Sequence, residues 1–334
     1  MGTFHEKLLA IGRPVAFPAG ARLVRQGEAA RGAFLIGQGE AEALVALPGG
    51  GMLSVARLGE GEMFGEMALL EHGVCSASVL ARTAVQGWFV ARSDFAAMTA
   101  VRDPGALEVQ RAITRALVAR LRALNAKVLA HPAQAEPFTL PETTARVETP
   151  PSFDWRAFLP VLPFFEGFDA QEIEQLADAG RAHELPRGVK LFAAGEPSRA
   201  GYLVVRGALE VFALAGGGFR RIAIAGPGEL VGILSLLERK AHGASAWVRE
   251  AACVLEVPAQ AFLRWYDGQE SLSVRLQRAI HRSLLRSLAR TNTQLARLIS
   301  AARLSGAQRE GDVLTAAYSS QIVAAEALSP ESAA

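Results

Sequence analysis

The 334-residue sequence holds only two cysteines, Cys75 and Cys253. Two thiols are too few for a disulfide framework or a cysteine-ligated metal cluster. They fit a reducing compartment. No apolar run reaches the roughly 18 residues a membrane span needs. The N-terminal stretch MGTFHEKLLAIGRPVAF lacks the apolar core and small-residue cleavage site of a signal peptide. His5 and Glu6 also fit a myristoylation pattern poorly. The six histidines are scattered, and none stands at metal-ligand spacing with another His, Cys or carboxylate. There is no Gly-x-Ser-x-Gly elbow and no phosphate-binding P-loop. Net charge is only +2, so bulk charge points to neither nucleic acid nor membrane. These absences lead to the expectation of a cytoplasmic, non-catalytic protein without a metal.

What is present is globular material. Half of the residues are hydrophobic and a fifth are charged, enough apolar mass for more than one core. At about 100–200 residues per domain, two or three domains are expected.

The chain repeats itself. Pro18-Ala-Gly20-Ala-Arg22-Leu23, Gly27-Glu28 and Phe34-Leu-Ile-Gly-Gln-Gly39 return as Pro186-Arg-Gly188-Val-Lys190-Leu191, Gly195-Glu196 and Tyr202-Leu-Val-Val-Arg-Gly207, at a constant offset of 168. Gly61-Glu62 and Phe64-Gly65 match Gly228-Glu229 and Val231-Gly232 at 167. Ser76-Ala77-Ser78-Val79 is matched with Ser245-Ala246-Trp247-Val248 at 169. Small offset changes are what loop insertions and deletions leave.

Each copy begins with short apolar runs broken by glycine: Ala33–Ile36, Glu42–Leu47, Leu53–Ala56 and Val85–Val90 in the first. Glycine-rich turns, Pro48–Gly51 and Gly216–Gly218, separate such runs. Short strands with these turns indicate a sandwich or barrel. The period then changes. Ile113, Leu117, Leu121, Leu124 and Val128 form a helical seam. Ile280, Leu284, Leu288, Thr291, Leu295 and Leu298 form its counterpart. The expected class is therefore α+β: two tandem β-roll (jelly-roll-like) domains, over residues 1–130 and 154–304, each ending in a long helix. Residues 131–153, with five prolines, read as an extended linker. Residues 305–334 read as a frayed or disordered tail. Helices are expected over Asp154–Leu162 and Ala170–Ala179, the latter with Asp169 as N-cap and Glu172 completing a capping box.

The segment Gly61-Glu-Met-Phe64-Gly65-Glu66-Met67-Ala68-Leu69-Leu70 resembles the phosphate-binding cassette of cyclic nucleotide-binding domains, the family found in catabolite activator proteins, protein kinase A regulatory subunits and gated channels. The resemblance spans residues 12–130 and 160–300. It implies that backbone amides after Gly65 face an anion and that Glu66 accepts a bond from a ribose 2′-hydroxyl. It further implies an arginine ten residues after the glycine, paired with the cyclic phosphate. Candidate ligand-binding residues are thus Phe64, Gly65, Glu66, Met67, Ala68, Cys75 and Ser76. In the second copy they are Gly232, Ile233, Leu234, Ala244 and Ser245, and the implied ligand is cyclic AMP or cyclic GMP.

Both copies depart from the family pattern. Cys75 stands at the arginine position of the first, and matching Ser245 to Ser76 places Ala244 there in the second. Ile233 replaces the glutamate. Losing a charge-assisted hydrogen bond worth about 1.5–3 kcal/mol would weaken binding about 10- to 100-fold. Arg239 and His242 precede Ala244 in a loop expected to be solvated, the alternative being that one of them swings inward as a substitute. Cys75 reads as a small buried residue or, were its pKa lowered, a redox sensor.

A basic strip, Arg275, Arg278, Arg282, Arg286 and Arg290, follows helical spacing with no acid between Glu270 and Glu310. It is either a solvated face or a docking surface for an acidic protein, nucleic acid or anionic lipid. Nothing after it resembles a helix-turn-helix, so sequence-specific DNA binding is not expected. Three functions remain open: a regulator acting through protein partners and sensing a cyclic nucleotide or related anion weakly if at all; a nucleotide-independent scaffold, with a homodimer through the long helices; and an anionic-partner binder using the strip.

Overall fold

The computed structural model describes residues 12–47, 51–70, 74–131, 149–216 and 218–304. The turn residues Pro48–Gly50 and Gly217, most of the proline-rich stretch (132–148) and the tail from Ser305 lie outside them.

The first copy runs through β1 (Arg13–Phe17), β2 (Arg22–Val24), β3 (Gly32–Gln38), β4 (Ala41–Ala46), β5 (Met52–Leu58) and β6 (Met63–Phe64). A single-turn helix α1 (Met67–Leu70), strands β7 (Ser78–Ala81) and β8 (Val85–Ala91), and helices α2 (Arg92–Ala100) and α3 (Pro104–Ala130) complete it. Its strands form two antiparallel four-stranded sheets, ordered β1-β8-β3-β6 and β2-β7-β4-β5. Ile36, Ala43, Leu58, Phe64, Val79 and Val85 make the core of this roll. A fully buried aromatic such as Phe64 contributes about 1.5–3 kcal/mol.

The second copy enters differently from expectation. Asp154–Leu162 is not an α-helix: Arg156–Val161 and Pro163–Phe165 are 3-10 turns. Pro160 lies inside the first of these. Proline has no amide to donate, and its ring crowds the carbonyl four residues back, so an α-helix cannot propagate there. Helix α4 (Ala170–Ala179) follows with the full capping box, Asp169 accepting from the Glu172 amide and Glu172 from the Asp169 amide. Then come β9 (Arg181–Leu185), β10 (Lys190–Phe192), β11 (Ala200–Ala215), β12 (Gly218–Ala225), β13 (Leu230–Val231), α5 (Ile233–Glu238), β14 (Ser245–Pro258), α6 (Ala259–Asp267) and α7 (Ser271–Leu304). Here one six-stranded sheet is built on the order β10-β14-β11-β12, with β13 on β11 and β9 on β14.

The repeat is visible residue by residue. The Gln26 amide donates to Ser78 Oγ at 3.0 Å and the Ala194 amide to Ser245 Oγ at 2.8 Å. Leu80 pairs with Arg22, and Trp247 with Lys190. Ser78 therefore corresponds to Ser245, at offset 167 and not 169. Each roll also buries a glutamate. Glu42 accepts from Ser54 at 2.5 Å and lies 3.5 Å from Arg82. Glu210 takes Arg221 and Arg249 on one oxygen, at 2.9 and 2.8 Å. Where the first copy breaks into β3 and β4 around Gly39, the second runs straight through as β11, bulged near Gly207.

Compact grouping does not follow chain order: residues 1–113 with 288–334 form one unit, and 114–287 the other. Each long helix thus gives one part to each unit. The expected seam is buried along its length, from Ile113 to Val128 in α3 and from Ile280 to Leu295 in α7.

Gly207 has φ +81°, and a Cβ there would lie 2.3 Å from the Ala251 carbonyl oxygen. Gly207→Ala combines a left-handed backbone with a backbone clash, so it should destabilise the second roll by about 2 kcal/mol or more. Denaturant unfolding of the full chain checks this, and an unchanged midpoint would contradict it.

Candidate functional site

The first cassette is anchored by aromatic stacking. Phe34 lies flat against Phe64 at 4.9 Å between centroids and packs on Phe89 at 4.8 Å. Beyond Phe64 the chain turns at Gly65, φ +70°, where a Cβ would come 2.8 Å from the Gly32 carbonyl oxygen. Only glycine suits that turn. Glu66 follows and is buried, 2% exposed. Ala68 is fully buried, and its carbonyl accepts from Arg92 Nε at 2.6 Å, while Arg92 Nη2 donates to the Ala30 carbonyl. Arg92, the first residue of α2, was not singled out by the sequence, yet it ties the roll to the cassette helix.

Across the cassette, the Cys75 amide donates to the Glu28 carbonyl and its own carbonyl accepts from the Gly27 amide, both at 2.8 Å. Ser76 Oγ lies 3.5 Å from Met67 Sδ. Phe64, Gly65, Glu66, Met67, Ala68, Cys75 and Ser76 thus all belong to one strand–turn–helix and the loop facing it. Burial, and next the Glu28 carboxylate, push the Cys75 thiol above its ordinary value. This corrects the idea of a lowered thiol pKa: α1 has a single turn, and the charge acting on the thiol, Glu28, is negative. Cys253 is fully buried and pushed up to about 11, mainly by burial.

The second cassette keeps the turn and loses the rest. Gly232 has φ +81°. Ile233, in the glutamate's place, is buried, and Leu234 is half-buried. The Gly195 amide donates to the His242 carbonyl and the His242 amide to the Glu196 carbonyl, both at 2.8 Å. These are the bonds Cys75 makes with Gly27 and Glu28. His242 therefore stands at the arginine position, ten residues after Gly232 as Cys75 is ten after Gly65. Ala244 lies two residues further on, half-buried, and Ser245 is the partner of Ala194 described above. Placing Ala244 at the arginine position followed from Ser-Ala-x-Val matching Ser-Ala-x-Val. Counting from the glycine gives the correct residue.

Nor is His242 in a solvated loop. It is 5% exposed and stacked on Phe192 at 3.8 Å, with Cε1 3.2 Å from the Cβ position of Gly232. Phe192 also stacks on Tyr202. The first copy has Val24 where the second has Phe192, and Phe64 where it has Val231. Moving the aromatic across the core makes the face on which the imidazole lies. Burial lowers the His242 pKa, with Glu196 opposing. Arg239 turns the other way, donating to Asp267 at 2.7 Å.

The basic strip is partly engaged by its own unit. Arg275 donates to the Gly167 carbonyl at 2.6 Å and lies 3.0 Å from buried Glu172. Arg282 donates to the Glu166 carbonyl at 2.7 Å. Arg278 and Arg290 are exposed and Arg286 half-buried. No described helix is long and apolar enough to cross a membrane.

A family model described as Cyclic nucleotide-binding domain matches residues 14–101 and 182–269. The CRP-like cAMP-activated global transcriptional regulator of Mycobacterium tuberculosis is 29% identical over 136 residues, 40% of this chain and 59% of that protein. The cyclic AMP receptor protein of Thermus thermophilus is 35% identical over 85 residues, 25% of this chain and 39% of that protein. The chain therefore spans between two and three fifths of these curated relatives. The regulatory domain of Toxoplasma gondii PKA, crystallised with cAMP, matches 78% of this chain and 82% of its own at 19% identity, with a TM-score of 0.31.

Two measurements follow from the protonation states. Alkylation of Cys75 by iodoacetamide should be slower at neutral pH than that of a free thiol, with its rate midpoint at higher pH than the free thiol's. Rapid labelling at pH 7 would contradict this. A histidine with a folded pKa below its unfolded value gives stability present above about pH 6.5 and lost as pH falls, because the unfolded chain then binds more protons. His242→Gln should therefore flatten the fall of the unfolding midpoint between pH 7 and 5.

Proposed function

This chain belongs to the cyclic nucleotide-binding domain family, and we propose that it is a non-catalytic regulatory protein whose first domain answers a cyclic nucleotide or related anion. Acting through protein partners, it would need neither chemistry nor a metal of its own. The observation that carries the reading is the first cassette. Its turning glycine, buried Glu66 and single-turn helix are kept in the geometry just described, with Cys75 where an arginine would hold the phosphate. Glu66, 2% exposed, stands where the family resemblance implies a carboxylate that accepts from the ribose hydroxyl. Affinity is weak on this reading, because the charge-assisted bond to the phosphate is missing. Cyclic AMP and cyclic GMP share the ribose and cyclic phosphate, so both are candidate ligands.

The test is calorimetry and thermal shift on the full chain with cyclic AMP, cyclic GMP and cyclic dinucleotides. Weak binding is expected. Cys75→Arg should tighten it about 10- to 100-fold, by restoring one charge-assisted hydrogen bond. No heat and no shift at millimolar ligand, in either protein, would overturn the sensing role.

A second reading has its own support. His242 lines the second cassette, stacked on Phe192, and neither copy has the arginine. That favours a nucleotide-independent scaffold, assembling as a homodimer through the long helices. Light scattering separates the two readings: a monomer at high concentration counts against the scaffold. Binding of nucleic acid or anionic lipid through the strip is less supported, since Arg275 and Arg282 already donate to their own chain.

A further inference from the structure

The second cassette has a charged occupant from its own chain. Arg122, on the part of α3 that belongs to the same compact unit, reaches α5 and the loop after it. Its Nε donates to Glu238 at 2.6 Å, and its Nη2 to Ser235 Oγ at 3.3 Å. Ser235 is 5% exposed and also accepts from the Gly243 amide at 3.4 Å. A Cβ on Gly243 would sit 2.7 Å from Arg122 Nη1, so the missing side chain is what makes room for the guanidinium. Within the same unit, Arg220 donates to the Leu129 carbonyl at 2.9 Å. That places a cation at the C-terminal end of α3, where the helix dipole favours it.

We infer that the second cassette is a guanidinium seat with its charge preference reversed: it holds Arg122 of its own chain in place of an anionic ligand. A phosphate site presents donors to an acceptor. This one presents a carboxylate and a hydroxyl oxygen to a planar donor, a geometry that suits arginine better than lysine. Ile233 and His242 remove the space and the charge that a cyclic nucleotide would use. The seat fastens the last turns of α3 to the cassette, so it works as a latch within unit 114–287.

Hydrogen exchange of the full chain tests the latch, read at the amides of residues 233–245. Arg122→Ala should speed exchange there about tenfold, in line with the loss of one partly exposed charge-assisted bond. Arg122→Lys should restore only part of the protection. Gly243→Val leaves every charge in place and fills the seat, so it too should speed exchange. Millimolar ethylguanidinium should return protection to Arg122→Ala, and ethylammonium should not. Unchanged exchange in both Arg122→Ala and Gly243→Val would overturn the inference, as would full protection by lysine. Protection of the wild-type segment by cyclic AMP or inorganic phosphate would also overturn it, because the seat would then still be an anion site. None of these readouts depends on whether the first domain binds a nucleotide.

Discussion

Both cassettes hang on one backbone constraint, a left-handed glycine at the turn into the cassette helix. At Gly65 the space a Cβ would need is taken by the Gly32 carbonyl oxygen; at Gly232 it is taken by the His242 ring. The turn fixes where the next four residues go, so it fixes which side chain points inward. With that frame constant, the chemistry of each site is set by substitutions around it. Glu66 against Ile233, Cys75 against His242 and Val24 against Phe192 are enough to turn one design into two. The first is a cassette with a buried carboxylate. The second is closed by an imidazole and faced by a guanidinium.

Much of the fold is legible because its signals are local and repeated. Gly39 and Gly207 mark the same bend, and Asp169 with Glu172 announces a helix start that forms as a capping box. The seam from Ile113 to Val128 has the period of a buried helix and is buried. What misleads is likewise specific. The apolar run over 154–162 looks helical until Pro160 is taken seriously. The Ser-Ala-x-Val similarity pulls the second copy out of register by two residues, although the hydrogen bonds of Gly195 and Glu196 fix it. Arg92, Arg122 and Phe192 give no signal in sequence, since their roles come from partners 24, 116 and 50 residues away.

Electrostatics is handled alike in both rolls. The buried carboxylates Glu42 and Glu210 sit at equivalent places, each beside arginine from a neighbouring strand or turn of the same sheet. Such pairs add little net stability over an apolar core, but removing one partner is costly. They select one register over its neighbours. The basic strip follows the same logic, since Arg275 meets Glu172 at the start of α4 before it meets any partner.

The continuity of β11 and β14 has a mechanical consequence. In the first roll the two sheets are separate ladders, joined by covalent crossings at bends such as Gly39, so sliding one on the other would stretch no ladder hydrogen bond. In the second, a 16-residue and a 14-residue strand pair with each other from end to end, with bulges near Gly207. Deforming that pairing means stretching many hydrogen bonds together. The acidic cassette thus rests on a roll of two separate ladders, and the closed cassette on a roll whose two longest strands bind each other along their length.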